Sequence, residues 1–214
     1  MAKRKPNGEF SGLIGNLISY QVKGQNRIRM KSRTRVDTSE LVAEARSDFR
    51  VVMNLLKNAK SFINIGFKDH TDNRSAYHSA LSINLKNYKE AQRLGKTDNY
   101  GWFVLSDGKL SGAENINATK LEDGTIELTW EGAEPGRPFN AKDNAIGYAY
   151  LNTSDRFMKG AENVTRSDGK MTIQPGMLKE GEKIDVFLSF TVPNGAYKAK
   201  SSKNVSTSQW AGSV

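Results

Sequence analysis

From residue 17 to residue 36 polar and apolar positions alternate with a period of two. Ile18, Tyr20 and Val22 recur in the run Leu17–Lys23, and Arg27, Arg29, Lys31, Arg33 and Arg35 interleave with Ile28, Met30, Ser32, Thr34 and Val36. Side chains two apart share one face of a strand. The pattern predicts strands over Leu17–Lys23 and Arg27–Val36, joined by the turn Lys23-Gly24-Gln25-Asn26 into a β-hairpin. One face of the second strand would be entirely cationic, and the other is suited to lie on protein. A lone hairpin is marginal in water, so this one is expected to dock on something.

The period then changes. Asp37-Thr38-Ser39-Glu40 reads as a helix start with Thr38 or Ser39 as N-cap. Val42, Ala45, Phe49, Val52, Leu56, Ala59 and Ile63 follow at alternating spacings of three and four, widened by Leu41, Leu55 and Phe62, and Gly66 ends the run. This seam suits packing within the chain, with a subunit interface as the other use. A second helix is predicted from near Asn73–Ser75 to about Arg93. Its stripe is Tyr77, Leu81, Leu85 and Tyr88, with Ala76, Ala80 and Ile83 beside it and Gly95 closing it. The short loop between the two helices suits an antiparallel pair.

From Tyr100 short β-type runs alternate with turn residues. The candidate strands are Trp102–Leu105, Ile116–Lys120, Thr125–Trp130, Ala145–Asn152, Asn163–Thr165, Lys170–Ile173, Ile184–Val192 and Tyr197–Val205. Such spacing predicts a β-sandwich of immunoglobulin or fibronectin type III kind, with Trp130 as a core anchor. The fold class expected is therefore α+β. Residues 1–98 would form a basic hairpin arm plus an antiparallel helix pair, and residues 99–214 the sandwich.

Charge sharpens this picture. The net charge is +9, and residues 1–36 hold nine Lys/Arg against one acid, Glu9. Residues 37–98 hold ten against eight, and residues 99–214 thirteen against fourteen. The basic balance belongs to one N-terminal segment, as in an interaction arm. Cysteine is absent, which excludes disulfides, thiolate metal sites and a thiol nucleophile. No apolar run approaches the roughly 20 residues of a membrane span, and the basic N-terminus lacks the apolar stretch of a secretion signal. The expected location is cytoplasmic or within a virion or other assembly.

Two stretches carry a family resemblance. Phe10-Ser-Gly-Leu-Ile-Gly15-Asn16, Tyr20, Lys23-Gly24 and Ile28-Arg29 make the first. Ile65-Gly66-Phe67-Lys68, Ala76-Tyr77 and Asn84-Leu85-Lys86-Asn87 make the second. Leu105-Ser-Asp-Gly-Lys-Leu-Ser-Gly-Ala113, a strand ending in Trp130, Asp143-Asn144-Ala145 and Val186-Phe-Leu-Ser-Phe190 follow in order. Together they resemble a Bacteroidota family known only as a domain of unknown function, over nearly the whole chain. Members often have Ser-Leu-Pro-Lys where this chain runs Met30-Lys31-Ser32-Arg33-Thr34-Arg35, so the long cationic row is a departure. The resemblance implies a fold, and implies no catalytic activity, cofactor or site residues.

Candidate chemistry is sparse. His70 and His78 stand without a second ligand pair at metal spacing. No nucleophile elbow, phosphate loop or dinucleotide fingerprint occurs. The carboxylates Glu122, Asp123, Glu131, Glu134, Glu180, Glu182 and Asp185 fall in turns and strand ends, which suits solvated turns better than a hydrolytic pair. Trp102, Trp130 and Trp210 are too scattered to read as a sugar-binding row. No cofactor, metal, catalytic residue, membrane contact or small-molecule substrate is expected. The candidate binding residues are Arg27, Arg29, Lys31, Arg33, Arg35, Lys23 and Tyr20. They suit a protein partner or self-association in an assembly. The alternative is nucleic acid, its phosphates held by the same cations.

Overall fold

Four N-terminal strands form an antiparallel meander in the computed structural model, which describes residues 3–4, 10–22, 24–32, 39–70, 74–131, 141–179, 181–193 and 204–214. They are β1 (Lys3–Arg4), β2 (Phe10–Ile14), β3 (Leu17–Val22) and β4 (Gln25–Met30), in that spatial order. The hairpin read from the sequence is the β3–β4 pair. Its turn is tighter than expected, because β4 begins at Gln25, directly opposite Val22. Gly24 there takes a φ of +80°, and Gly15, in the turn between β2 and β3, takes +57°; both values favour glycine.

By contact, the chain divides into a unit of residues 1–43 and a unit of residues 44–214. The texture change at Asn99 marks where helices give way to strands. Packing runs through it, since helices and strands from both sides share one core.

The expected first helix is two helices. Helix α1 (Glu40–Asn58) stops at Ala59, and α2 (Lys60–Gly66) continues from it. The apolar seam is buried from Val52 through Leu55, Leu56, Ala59, Phe62 and Ile63 to Phe67, so it packs within the chain. Its first turns are not covered: Leu41 and Phe49 are exposed, while Asp48 between them is buried and accepts from Gln92 Nε2 at 3.0 Å. Helix α3 (Ala76–Arg93) starts where expected. Ser75 caps it, its hydroxyl accepting from the His78 N–H.

Among the described residues seven strands follow: β5 (Glu114–Lys120), β6 (Ile126–Glu131), β7 (Asn144–Leu151), β8 (Arg156–Lys159), β9 (Lys170–Ile173), β10 (Ile184–Thr191) and β11 (Gln209–Ser213). They form two antiparallel sheets, ordered β5-β6-β9 and β11-β10-β7-β8. Lettered in chain order as a seven-strand sandwich, these are A-B-E and G-F-C-C′, an immunoglobulin-like arrangement. Ile126, Leu128, Trp130, Met171 and Ile173 face Ala145, Ala149, Leu151, Ile184, Val186, Leu188 and Phe190 across the core between the sheets. Trp130 is the expected anchor, and its indole N–H donates to the Arg166 carbonyl at 3.0 Å.

Several strand expectations need correction. Trp102–Leu105 is buried but not a strand, and Asn163–Thr165 makes only a single bridge, Asn144 to Thr165. Strands β8 and β11 were not anticipated, because four and five residues rich in charge or small side chains show no alternation worth reading. Their pairing comes from the open edges of β7 and β10. Most of the expected strand Tyr197–Val205 lies outside the described residues.

Strands β7 and β10 are buried on both faces. Tyr148, Tyr150 and Phe187 point away from the sandwich core and meet Phe62, Phe103 and Phe157. The 44–214 unit therefore has three layers: helices, the four-stranded sheet and the three-stranded sheet.

The segment from Trp102 to Ser106 threads this assembly without a strand partner. Asn84 of α3 meets it as a strand would: Oδ1 accepts from the Val104 N–H (2.7 Å) and Nδ2 donates to the Val104 carbonyl (2.8 Å). Asn87 Nδ2 donates to the Trp102 carbonyl, and the Leu105 N–H donates to Ser208 Oγ at 2.8 Å. Gly66 closes against the same segment, where a Cβ would collide with the Leu105 carbonyl oxygen and Ser106.

Beneath the sandwich core Arg166, fully buried, spans several partners. Its guanidinium donates to the carbonyls of Gly112 (2.7 Å) and Ser111 (2.6 Å), lies 3.8 Å over the Phe190 ring, and stands 3.4 Å from buried Asp143. Burial pushes its pKa down, and the Asp143 carboxylate opposes that shift.

Two stability tests follow from these contacts. Asn84→Ala strands the Val104 N–H and carbonyl, at about 1–3 kcal/mol for each buried group left unpaired. Gly66→Ala forces overpacking worth about 1–3 kcal/mol. Urea denaturation should show both as lowered midpoints, and an unchanged midpoint for either would refute the clamp. Asp143→Ala leaves a buried guanidinium without its counter-charge, a loss of about 3–5 kcal/mol. The same titration should rank it at or above the other two.

Candidate partner-binding surface

The period-two rule and the observed register assign each side chain of the N-terminal sheet to a face. Arg27 pairs with Tyr20, Arg29 with Ile18, and Ile18 with Leu13, so these five share one face. Met30 pairs with Leu17 and Leu17 with Ile14, and Ile28 pairs with Ser19, so Ile14, Leu17, Ile28 and Met30 share the other. The sheet thus has a cationic-aromatic face and an apolar face.

The apolar face is exposed at each of these four positions. Ile28 is 68% and Met30 73% exposed, and Ile14 and Leu17 are exposed as well. These four side chains belong to the exposed apolar surface of the sheet. Among residues 11–22 and 24–32 no side chain is buried.

The predicted binding residues are brought together only in part. Tyr20, half-buried on β3, stands directly opposite Arg27. Arg27 and Arg29 are exposed on β4, and Arg27 makes a 3.5 Å contact to Gln25 Oε1. The strand ends at Met30, four residues into the expected run from Arg27. Lys31 follows it, its N–H donating to the Asn16 carbonyl at 2.7 Å, so the ladder extends one pair past the strand. Lys23, Arg33 and Arg35 lie outside the described residues. Residues 10–32 contain no Asp or Glu. Among the described residues no ion pair neutralises Arg27, Arg29 or Lys31.

β4 is also an edge. In the meander it has β3 on one side, and among the described residues nothing pairs with the other. The Lys31-to-Asn16 bond sets the alternation of the ladder. Residues 25, 27, 29 and 31 aim their backbone groups at β3, and Ile28 and Met30 aim theirs outward. An outward row of N–H and carbonyl groups is a template for another strand.

Elsewhere the candidate histidines and several carboxylates have structural partners. His70 Nε2 lies 2.7 Å from the Asp107 carbonyl, and His78 Nδ1 lies 2.7 Å from Ser75 Oγ. Glu182 accepts from the Ser154 N–H and hydroxyl, and Asp185 accepts from Trp210, Ser213 and Asn152. Among the described residues no three His, Asp or Glu side chains gather as a metal site. Burial raises the phenol pKa of Tyr148, and burial together with the Asp155 carboxylate raises that of Tyr150, so both stay neutral. Glu134 and Glu180 lie outside the described residues.

One grouping was invisible in the sequence. Trp102 and Trp210, far apart in the chain, line one groove of about 650 Å³ with Ala91, Leu94 and Val104. No signal in the sequence could have joined them, since β11 itself was not legible. Among the described residues no helix is long and apolar enough to cross a membrane.

Comparison with known proteins finds no match among curated proteins and none among solved structures. One family model matches, described as a family of unknown function (DUF6266), over residues 9–204. That span takes in the N-terminal sheet from its second strand, all three helices and the sandwich as far as the approach to β11. The chain belongs to this family of unknown function.

Proposed function

We propose that this protein is a non-enzymatic interaction component of a protein assembly, and that the N-terminal sheet is the part that engages its neighbour. The observation behind this reading is the absence of any buried side chain among residues 11–22 and 24–32, although those stretches hold Leu13, Ile14, Leu17, Ile18, Ile28 and Met30. Small sheets gain stability by covering an apolar face. Here the cover would come from a partner. A virion, tail-like or filamentous assembly would suit a sandwich unit joined to such a sheet.

A second reading rests on the other face. Tyr20 beside Arg27, with Arg29 and Lys31 in no ion pair among the described residues, suits nucleic acid through phosphate contacts and base stacking. Salt separates the two. Phosphate binding weakens steeply with ionic strength, whereas apolar contact does not.

In an extract of its own host, the intact chain should migrate in a complex well above its 23.7 kDa and survive nuclease and high salt. The double variant Ile28→Lys, Met30→Lys should migrate as a monomer with unchanged melting of the 44–214 unit. A complex dissolved by nuclease would promote the second reading, and a monomer under all conditions would remove both. Peroxide footprinting gives a residue-level check. In the purified chain Met30 and Met177, 73% and 91% exposed, should oxidise readily and buried Met171 slowly. In the complex Met30 alone should become protected.

A further inference from the structure

We infer that β4 receives an extended acidic segment of a partner protein as an added fifth strand, with acidic and apolar residues alternating along it. This rests on the reading of the N-terminal sheet as the engaging surface and specifies what it takes.

Three observations converge on that occupant. First, the outer edge of β4 presents the N–H and carbonyl groups of Ile28 and Met30, and among the described residues no strand pairs with them. An extended chain is the ligand that satisfies such a row. Second, the two faces of β4 differ in kind at adjacent positions. Arg27 and Arg29 lie on one, Ile28 and Met30 on the other. A strand laid alongside must match them residue by residue, since directly opposite residues share a face. Acids are required opposite Arg27 and Arg29, and apolar side chains opposite Ile28 and Met30.

Third, charge argues against a second copy at this edge. Two β4 strands paired with each other would bring Arg27 and Arg29 of both into one like-charged cluster, which is destabilising. With no acid anywhere in residues 10–32, a second β4 edge supplies no counter-charge from its own or the neighbouring two strands. Nucleic acid meets the cations but leaves the backbone row and the apolar face unsatisfied.

The test uses the purified full chain and a fluorescent peptide about nine residues long that alternates glutamate with valine. Controls are a peptide of the same composition with its glutamates grouped together, and a single-stranded DNA oligonucleotide. Anisotropy should show the alternating peptide binding about tenfold more tightly than the grouped one, or better. Ile28→Pro removes the outward N–H while leaving the bonds to β3 in place, and should abolish that preference. Circular dichroism would check that the sheet persists.

A charge swap covers the case in which the proline variant fails to fold. Arg27→Glu, Arg29→Glu should lose the glutamate peptide and gain one alternating lysine with valine. Equal binding of the alternating and grouped peptides would overturn the inference, as would tighter binding of DNA or a charge-swapped chain indifferent to peptide charge. If the host complex depends on Ile28 and Met30 yet the alternating peptide does not bind, strand addition is wrong and the assembly reading stands. If the host complex is also missing, the assembly reading falls with it.

Discussion

A buried backbone segment that belongs to no strand must still have its hydrogen bonds met, and the arrangement of residues 44–214 depends on how this is done for residues 102–106. Asn84 presents an amide to Val104 in the geometry of a neighbouring strand, and Ser208 presents a hydroxyl to Leu105. The first holds the segment to α3 and the second to the approach to β11. Ser106 completes the tie, its hydroxyl donating to the Ser206 carbonyl and its own carbonyl accepting from the Ser208 N–H. Helices and sandwich are thereby fastened to the same stretch of chain. Aromatic packing of Trp102 and Phe103 against Tyr88, Phe157 and Phe187 then fills the space between them.

This explains why many residues behind the family resemblance are structural. Gly66 is small because the Leu105–Ser106 backbone lies against it, and Phe67 next to it is fully buried. Asn84 and Asn87 are amides because they bind main chain. Asp143 is the counter-charge of a guanidinium that itself holds two carbonyls of the Ser111–Gly112 turn. These groups specify one packing of helices on a sandwich.

The N-terminal sheet obeys a different economy of contacts. Its turns are well specified by glycine and its register by two short loops, yet no side chain is buried among residues 11–22 and 24–32. Alternation along β4 sorts cations from apolar side chains without providing a cover for either. A segment built in this way has its conformation set locally, by turn and register.

The sequence by itself determined the periodicities: the hairpin, the helix that Ser75 caps, the seam from Val52 to Ile63, and strands β6, β7, β9 and β10. Each is written in local patterns of three to eight residues, which reflect which face of an element will be buried. The cationic row was equally legible, because charge needs no tertiary context to be seen. Only the tertiary structure decided the rest. It split the first helix at Ala59, left the apolar side of β4 open, and ended that strand at Met30. It also made strands of Arg156–Lys159 and Gln209–Ser213, and gave Trp102–Leu105 a buried course outside any sheet. Those outcomes turn on which edge, amide or hydroxyl another part of the chain brings alongside, and pairing of that kind leaves no trace in the residues that receive it.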